Sequence, residues 1–176
     1  LAFDRLGGSI KFCKILTTLD TTNWGQVEKF LLGASPAQSQ AMPEGKMLLG
    51  LSLYGFSEGV RRIEATGLSL KKAIRKTGRP VRLIPNKETE LNSAQVIHNK
   101  LTGTNGWELI FVKAGNQTVV AQTVKVQDIE AYTRRDRERP KRDAKVGMLP
   151  PKLAQILINL ASGPIAVDKL ESICDI

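Results

Sequence analysis

The sequence predicts an α/β (α+β) layer fold, helices packed on a mixed sheet, and three observations carry that prediction. Residues 46–56, KMLLGLSLYGF, are almost continuously apolar, as a central strand covered on both faces must be. Residues 107–113 and 118–126 flank Ala114-Gly115-Asn116-Gln117, a turn sequence that joins two strands into a hairpin. The stretches between these strands place apolar residues three and four apart, the period of a helix.

Residues 9–16, SIKFCKIL, set Ile10 and Phe12 against Lys11 and Cys13 and read as a strand. A helix is predicted over residues 23–32, with Thr22 or Asn23 as N-cap, because a short polar side chain there accepts from a first-turn N–H. Residues 33–45, rich in Ala, Ser, Gln and Pro, read as a loop. Within the strand 46–56, Gly50 is the weak point, since glycine loosens a strand unless another group approaches closely. Residues 57–77 carry Val60, Ile63, Leu68, Leu70, Ala73 and Ile74 at helical spacing. Gly67 is expected to break that helix, leaving Ser69 to cap a second one whose outer side is Lys71, Lys72, Arg75 and Lys76. Gly78 supplies its C-terminal stop. Residues 79–84 read as a short strand bounded by Pro80 and Pro85, and residues 91–101 as a helix capped at Asn92 or Ser93.

At 176 residues and 41% hydrophobic content, the chain suits one or two domains with a substantial core. No apolar run approaches the roughly 18 residues that span a bilayer, so no membrane partner is expected. The first residues, LAFDRLGGSI, show neither the basic nor the apolar region of a signal peptide, and no initiator methionine. A cytoplasmic piece of a longer protein is the expectation. Cys13 and Cys174 stand far apart and read as reduced thiols rather than a disulfide or metal pair. His98, the lone histidine, has nothing at catalytic spacing and reads as a helix-surface residue. No Ser-His-Asp set, metal-ligand cluster or phosphate-binding glycine loop can be assembled.

The net charge of +9 is unevenly placed. Arg61, Arg62, Lys71, Lys72, Arg75, Lys76, Arg79 and Arg82 stand against the single acid Glu64, a local balance of +7. Between residues 134 and 145, seven basic residues (Arg134, Arg135, Arg137, Arg139, Lys141, Arg142, Lys145) face Asp136, Glu138 and Asp143, a balance of +4. Two basic patches on a nearly neutral body point to a polyanionic partner, with a merely solvated surface as the plain alternative. The second patch is a connector that cannot bury itself: its arginines either grip RNA or pair with the acids to set geometry. It leads into a helix begun by Pro150 and Pro151, with Leu153, Ile156, Leu157 and Leu160 on one face. That change of character reads as a domain boundary.

Resemblance reaches the same place. Arg135, Asp136, Arg139, Pro140, Arg142, Asp143, Ala144, Lys145 and Gly147, followed by Met148 to Ile156, form R-D-x-x-R-P-x-R-D-A-K-x-G-M-L-P-P-K-L-A-Q-I. This string resembles the segment that joins the THUMP region to the catalytic domain in the tRNA guanosine-N2 methyltransferase family. Gly-Gly-Ser-Ile-Lys at 7–11, Leu-Ser-Leu-Tyr-Gly at 51–55 and Thr-Val-Lys-Val-Gln-Asp-Ile-Glu-Ala-Tyr at 123–132 are similar to that family too, in the same order. The resemblance implies four parts: residues 1–20 as the tail of a ferredoxin-like domain, 21–130 as a THUMP-like RNA-binding domain, 131–147 as a basic linker, and 148–176 as the start of a Rossmann-like methyltransferase domain.

It further implies tRNA as partner and S-adenosylmethionine as the parent enzyme's cofactor. RNA contacts would come from both basic patches, with Tyr132 beside the second as a base-stacking or interdomain residue. Met148, Leu149, Pro150, Pro151 and Asp175 would border the cofactor. The family's D-P-x-C-G-x-G turn is broken after Cys174-Asp175, where Ile176 replaces proline, and its (N/D)-P-P-(Y/F) motif is absent. Alone, the chain is therefore expected to bind RNA, to hold no cofactor, and to need a missing catalytic domain or partner subunit for methyl transfer. A stand-alone non-catalytic RNA-binding module and a fragment of a DNA or ribosomal RNA methyltransferase are the rival readings.

Overall fold

The computed structural model describes residues 3–139 and 147–162. The chain divides into two units, one spanning Lys11–Val126, the other combining Leu1–Ile10 with Gln127–Ile176.

In the first unit the elements run β1 (Lys11–Leu19), α1 (Trp24–Gln40), β2 (Met47–Tyr54), α2 (Val60–Arg75), β3 (Val81–Leu83), α3 (Ser93–His98), β4 (Gly106–Ala114) and β5 (Gln117–Val126). They build one mixed five-stranded sheet in the order β1-β5-β4-β2-β3. β2 runs parallel to β3 and β4, whereas β5 is antiparallel to β4 and to β1. The predicted α/β fold of helices on a mixed sheet is thus the fold observed.

β2 is apolar along its length because both of its faces are covered. Met47, Leu49, Leu51 and Leu53 pack with Trp24, Val27 and Leu31 of α1 and Ile63, Leu70 and Ile74 of α2. Leu48, on the opposite face, joins a second cluster of Ile84, Leu91, Val96, Leu101 and Val126. Trp24 anchors the larger cluster, edge-on to Phe111 at 5.2 Å and to Phe56 at 5.5 Å. Its indole N–H donates to Thr66 Oγ1 at 3.0 Å, so the ring is buried without an orphaned donor.

Local capping follows the residue types. Asn23 accepts from the Gln26 N–H at the start of α1. Asn92 and Gln95 form a reciprocal capping box on α3. Gly115 takes φ +59 at the first position of the two-residue hairpin loop, where a left-handed backbone is required.

Tertiary packing corrects four sequence expectations. First, α1 runs through the predicted loop to Gln40, with Pro36 inside it. Leu31, Ser35 and Ser39 continue its buried face at four-residue spacing, and that packing offsets the hydrogen bond lost at the proline. Second, Gly67 does not break α2. A Cβ there would lie 2.9 Å from Leu83 Cδ1, so the glycine lets the helix cross close over β3. Ser69 caps nothing and instead donates to the Ala65 carbonyl at 3.0 Å. Third, β1 begins at Lys11 and runs on to Leu19, past the strand expected over residues 9–16, because it pairs with β5 along that length. Fourth, the connector is helical at its start.

Gly50 finds the close approach that would justify it: a Cβ would meet Leu91 Cδ1 at 2.6 Å and Leu101 Cδ1 at 2.8 Å. Gly106 is tighter still, because the clashing atoms are backbone, the carbonyl carbon and oxygen of Leu101 at 2.5 Å. Gly106→Ala is expected to cost about 1–3 kcal/mol through displaced backbone. Urea denaturation checks this, and a midpoint equal to the parent's would refute it.

The second unit comprises a 3-10 turn (Phe3–Arg5), α4 (Ile129–Arg137) and α5 (Pro151–Ser162). Asp128 accepts from the Ala131 N–H at 2.9 Å and so starts α4, whose long unbranched Arg and Glu side chains suit a helix. Gln127 donates from its backbone to the Ile10 carbonyl and from its side chain to the Gly7 carbonyl, at 2.8 and 3.1 Å.

α5 begins at Pro151 as predicted, and its inward side is polar rather than its leucine face. Gln155 and Asn159 donate to the carbonyls of Asp4 and Arg5 at 3.2 and 2.6 Å. Ile156 is half-buried against Gly7, while Leu153, Leu157 and Leu160 stay 42%, 48% and 74% exposed. Polar side chains meeting free backbone carbonyls decide the orientation, which hydrophobic spacing alone cannot foresee. Residues 140–146, including Lys141 and Arg142, and the tail with Cys174 and Asp175 lie outside the described residues.

Candidate functional site

α2 buries Ile63, Thr66, Gly67, Leu70 and Ile74, which lie on one side of a 3.6-residue helix. The opposite side carries Arg61, Ala65, Leu68, Lys72, Arg75 and Lys76, all exposed or partly so. Among the described residues, Arg61, Lys72, Arg75 and Lys76 make no ion pair. Arg62 pairs with Glu28 of α1 at 2.9 Å, and Lys71 is half-buried at the margin. The result is a band of cations along about four helical turns, with Ala65 and Leu68 between them and the partly exposed Glu64 at its margin near Arg61. Such a stripe can neutralise successive phosphates without reading sequence.

Two residues expected to join this stripe do something else. Arg79 turns inward: its guanidinium donates to the carbonyls of Ser39, Met42 (3.2 Å) and Pro43 (2.5 Å) and to Asn105 Oδ1 (3.1 Å). It closes the C-terminal end of α1, whose last carbonyls need donors, and so is committed to backbone rather than to a phosphate. Arg82 is exposed, but it is in register with Leu48, while its neighbours Val81 and Leu83 face α2. Alternation along β3 therefore puts Arg82 on the α3 side of the sheet, away from the stripe.

In the second unit, Tyr132 is only 8% exposed and is not free to stack on a base. Its hydroxyl donates to Gln155 Oε1 at 2.6 Å, and its ring lies beneath Arg135 at 4.9 Å and Lys152 at 5.4 Å. Arg139 pairs with Asp136 at 2.9 Å and donates to the Leu149 carbonyl at 2.7 Å, the structural alternative for the connector. Arg134, Arg135 and Arg137 are exposed on α4. Met148, Leu149 and Pro150 are exposed and Pro151 is half-buried.

A buried polar cluster in the first unit was not foreseen from the sequence. Glu108 on β4 is completely enclosed. Its carboxylate accepts from Lys11 Nζ at 2.5 Å, Ser52 Oγ at 2.6 Å and Thr123 Oγ1 at 2.6 Å. Lys11 also donates to the Leu91 carbonyl at 2.7 Å, and Ser52 accepts from the Leu91 N–H at 2.9 Å. One carboxylate thus ties together β1, β2, β5 and the segment before α3. The only signal was an acid inside the apolar run WELIFV; its partners are 15 to 97 residues away. Burial pushes the nearby Tyr54 phenol up to about 12, with Glu108 and Glu90 adding to the shift. Burial also raises the Cys13 thiol, so Cys13 is not an activated nucleophile.

Among the described residues no group of His, Cys, Asp and Glu is arranged to hold a metal, and no helix is long and apolar enough to cross a membrane. No family model and no curated protein matches the sequence. Among solved structures, the crystal structure of TrmN from Thermus thermophilus is similar at 16% identity and a TM-score of 0.43. The likeness covers 88% of this chain and 39% of that one.

Proposed function

We propose that the chain is the RNA-binding portion of an S-adenosylmethionine-dependent tRNA (guanosine-N2) methyltransferase, docking tRNA so that a guanosine amine can be methylated. The observation that carries the binding half is the outward side of α2 and its C-cap, where Arg61, Lys72, Arg75 and Lys76 make no ion pair among the described residues. Structured RNA is held through phosphates, 2′-hydroxyls and shape, which a helix presenting fixed cations suits. The methyl-transfer half rests on the sequence strings at 7–11, 51–55, 123–132 and 135–156. In this reading residues 21–130 are the THUMP-like module, and residues from 148 onward open a cytoplasmic enzyme's catalytic domain.

Met148, Leu149, Pro150 and Pro151 offer an apolar wall, and the Leu149 carbonyl is already taken by Arg139. The exposed Leu153, Leu157 and Leu160 favour an unfinished domain over a stand-alone module, since bare apolar faces mark surfaces made to be covered.

Lys72→Glu combined with Arg75→Glu is expected to weaken tRNA binding severalfold and to flatten its salt dependence by about two units of log–log slope. Unchanged affinity would remove α2 from the interface. Titrating tRNA, a ribosomal RNA fragment and duplex DNA at one salt concentration separates the tRNA reading from the fragment acting on other nucleic acids.

A further inference from the structure

The second unit contains a shallow hollow of about 540 Å³ whose rim is cationic and whose wall is apolar. Arg5, Arg135 and Arg139 line it together with Leu149, Pro151 and Ile158. These residues come from the 3-10 turn, α4, α5 and the residues flanking those helices, so only the fold assembles them. The size lies within the roughly 300–1,000 Å³ usual for small-ligand sites.

The frame of the hollow is pinned rather than loose. Asn159 Nδ2 donates to the Arg5 carbonyl at 2.6 Å and Gln155 Nε2 to the Asp4 carbonyl at 3.2 Å, holding the turn against α5. Arg139 holds the Leu149 carbonyl at 2.7 Å. Arg135 rests on the buried Tyr132 ring, so its guanidinium is held in place, and among the described residues it has no carboxylate partner. Arg5 makes no ion pair among the described residues either. Two guanidiniums without an ion pair among the described residues, one held on a ring and one on a turn pinned through its backbone, beside Leu149, Pro151 and Ile158, suit a ligand with one doubly acidic end and one flat, weakly polar body.

We propose that this hollow binds a nucleotide: the phosphate between Arg5 and Arg135, the nucleoside against the apolar wall. Guanidinium binds phosphate through paired, directional hydrogen bonds, which a plain surface lysine does not offer. The inference deepens the RNA-binding reading and rests on it only for the source of the nucleotide.

The test is an NMR titration of the full chain with adenosine 5′-monophosphate, following the amides of Arg5, Arg135 and Asn159. Saturable shifts are expected, with affinity about tenfold weaker for adenosine, and about tenfold weaker for the nucleotide in Arg5→Gln and Arg135→Gln. Ile158→Ser is expected to weaken the nucleotide while leaving inorganic phosphate unchanged. Equal affinity for adenosine, or indifference to both arginine substitutions in folded protein, overturns the site. Inorganic phosphate binding as tightly as the nucleotide overturns the nucleoside half. The α2 variant Lys72→Glu/Arg75→Glu separates the two readings: it should leave the nucleotide shifts intact. Loss of tRNA binding in that variant without any nucleotide shift in the parent would overturn the hollow alone, and the reverse pattern would overturn the stripe alone.

Discussion

Glu108→Ala is expected to lower the stability of the Lys11–Val126 unit by about 3–5 kcal/mol, because it strands a buried ammonium without its counter-charge. Lys11 is held at 2.5 Å from the carboxylate, with its side chain 7% exposed, so water cannot replace the lost partner. Ser52 and Thr123 lose their acceptor in the same step, and each buried hydroxyl left unpaired adds to the cost. Chemical denaturation measures the loss. The double variant Glu108→Ala/Lys11→Met is the decisive control, since removing both charges should recover most of the stability. A double variant as unstable as the single one would mean that the strands, rather than the charge pair, need Glu108.

Arg79→Ala is expected to cost about 3 kcal/mol, since several hydrogen bonds to a charged group vanish together. The carbonyls of Ser39, Met42 and Pro43 would be left at the end of α1 and in the turn after it without this donor. Arg79→Lys should rescue little, because a single ammonium cannot reproduce a planar fork addressing acceptors on several sides. Thermal unfolding reads the loss, and the salt slope of tRNA binding supplies the second readout. An unchanged slope in folded Arg79→Ala supports the clamp; a slope shallower by about one would return Arg79 to the RNA interface. In the sequence Arg79 and Arg75 both read as cations of one basic patch, on either side of Gly78. They differ only in what lies opposite, a bare helix side for one and a cluster of backbone carbonyls for the other.

Much of the fold was legible for a local reason. β2, the β4–β5 hairpin and the caps at Asn23 and Asn92 depend on residues within a few positions of each other, and periodicity or side-chain reach specifies them. The elements that deviated were decided by partners far along the chain. α1 passes Pro36 because the sheet beneath supplies burial for Leu31, Ser35 and Ser39. α2 passes Gly67 because β3 lies close under it.

The candidate site divides in the same way. Lys72, Arg75 and Lys76 were readable together because helix geometry alone puts them on one side, whereas Arg61 joins them only because α2 runs on through Gly67. Tyr132 and Arg139 were readable as residues beside the arginine run, but not as a buried ring and a connector clamp, which depend on Gln155 and Leu149. The Arg5–Arg135 hollow joins positions 130 residues apart, and the Lys11–Glu108 pair joins positions 97 apart.

By itself the sequence determined the class of fold, the position of most elements, the cationic character and the helix that displays it. These properties follow from spacing and composition, which survive in one dimension. Tertiary structure alone decided which arginines are free, which acid is buried and which face of α5 turns inward. Those outcomes depend on desolvation and on hydrogen-bond partners, and both are set by what the folded chain brings within about 3 Å.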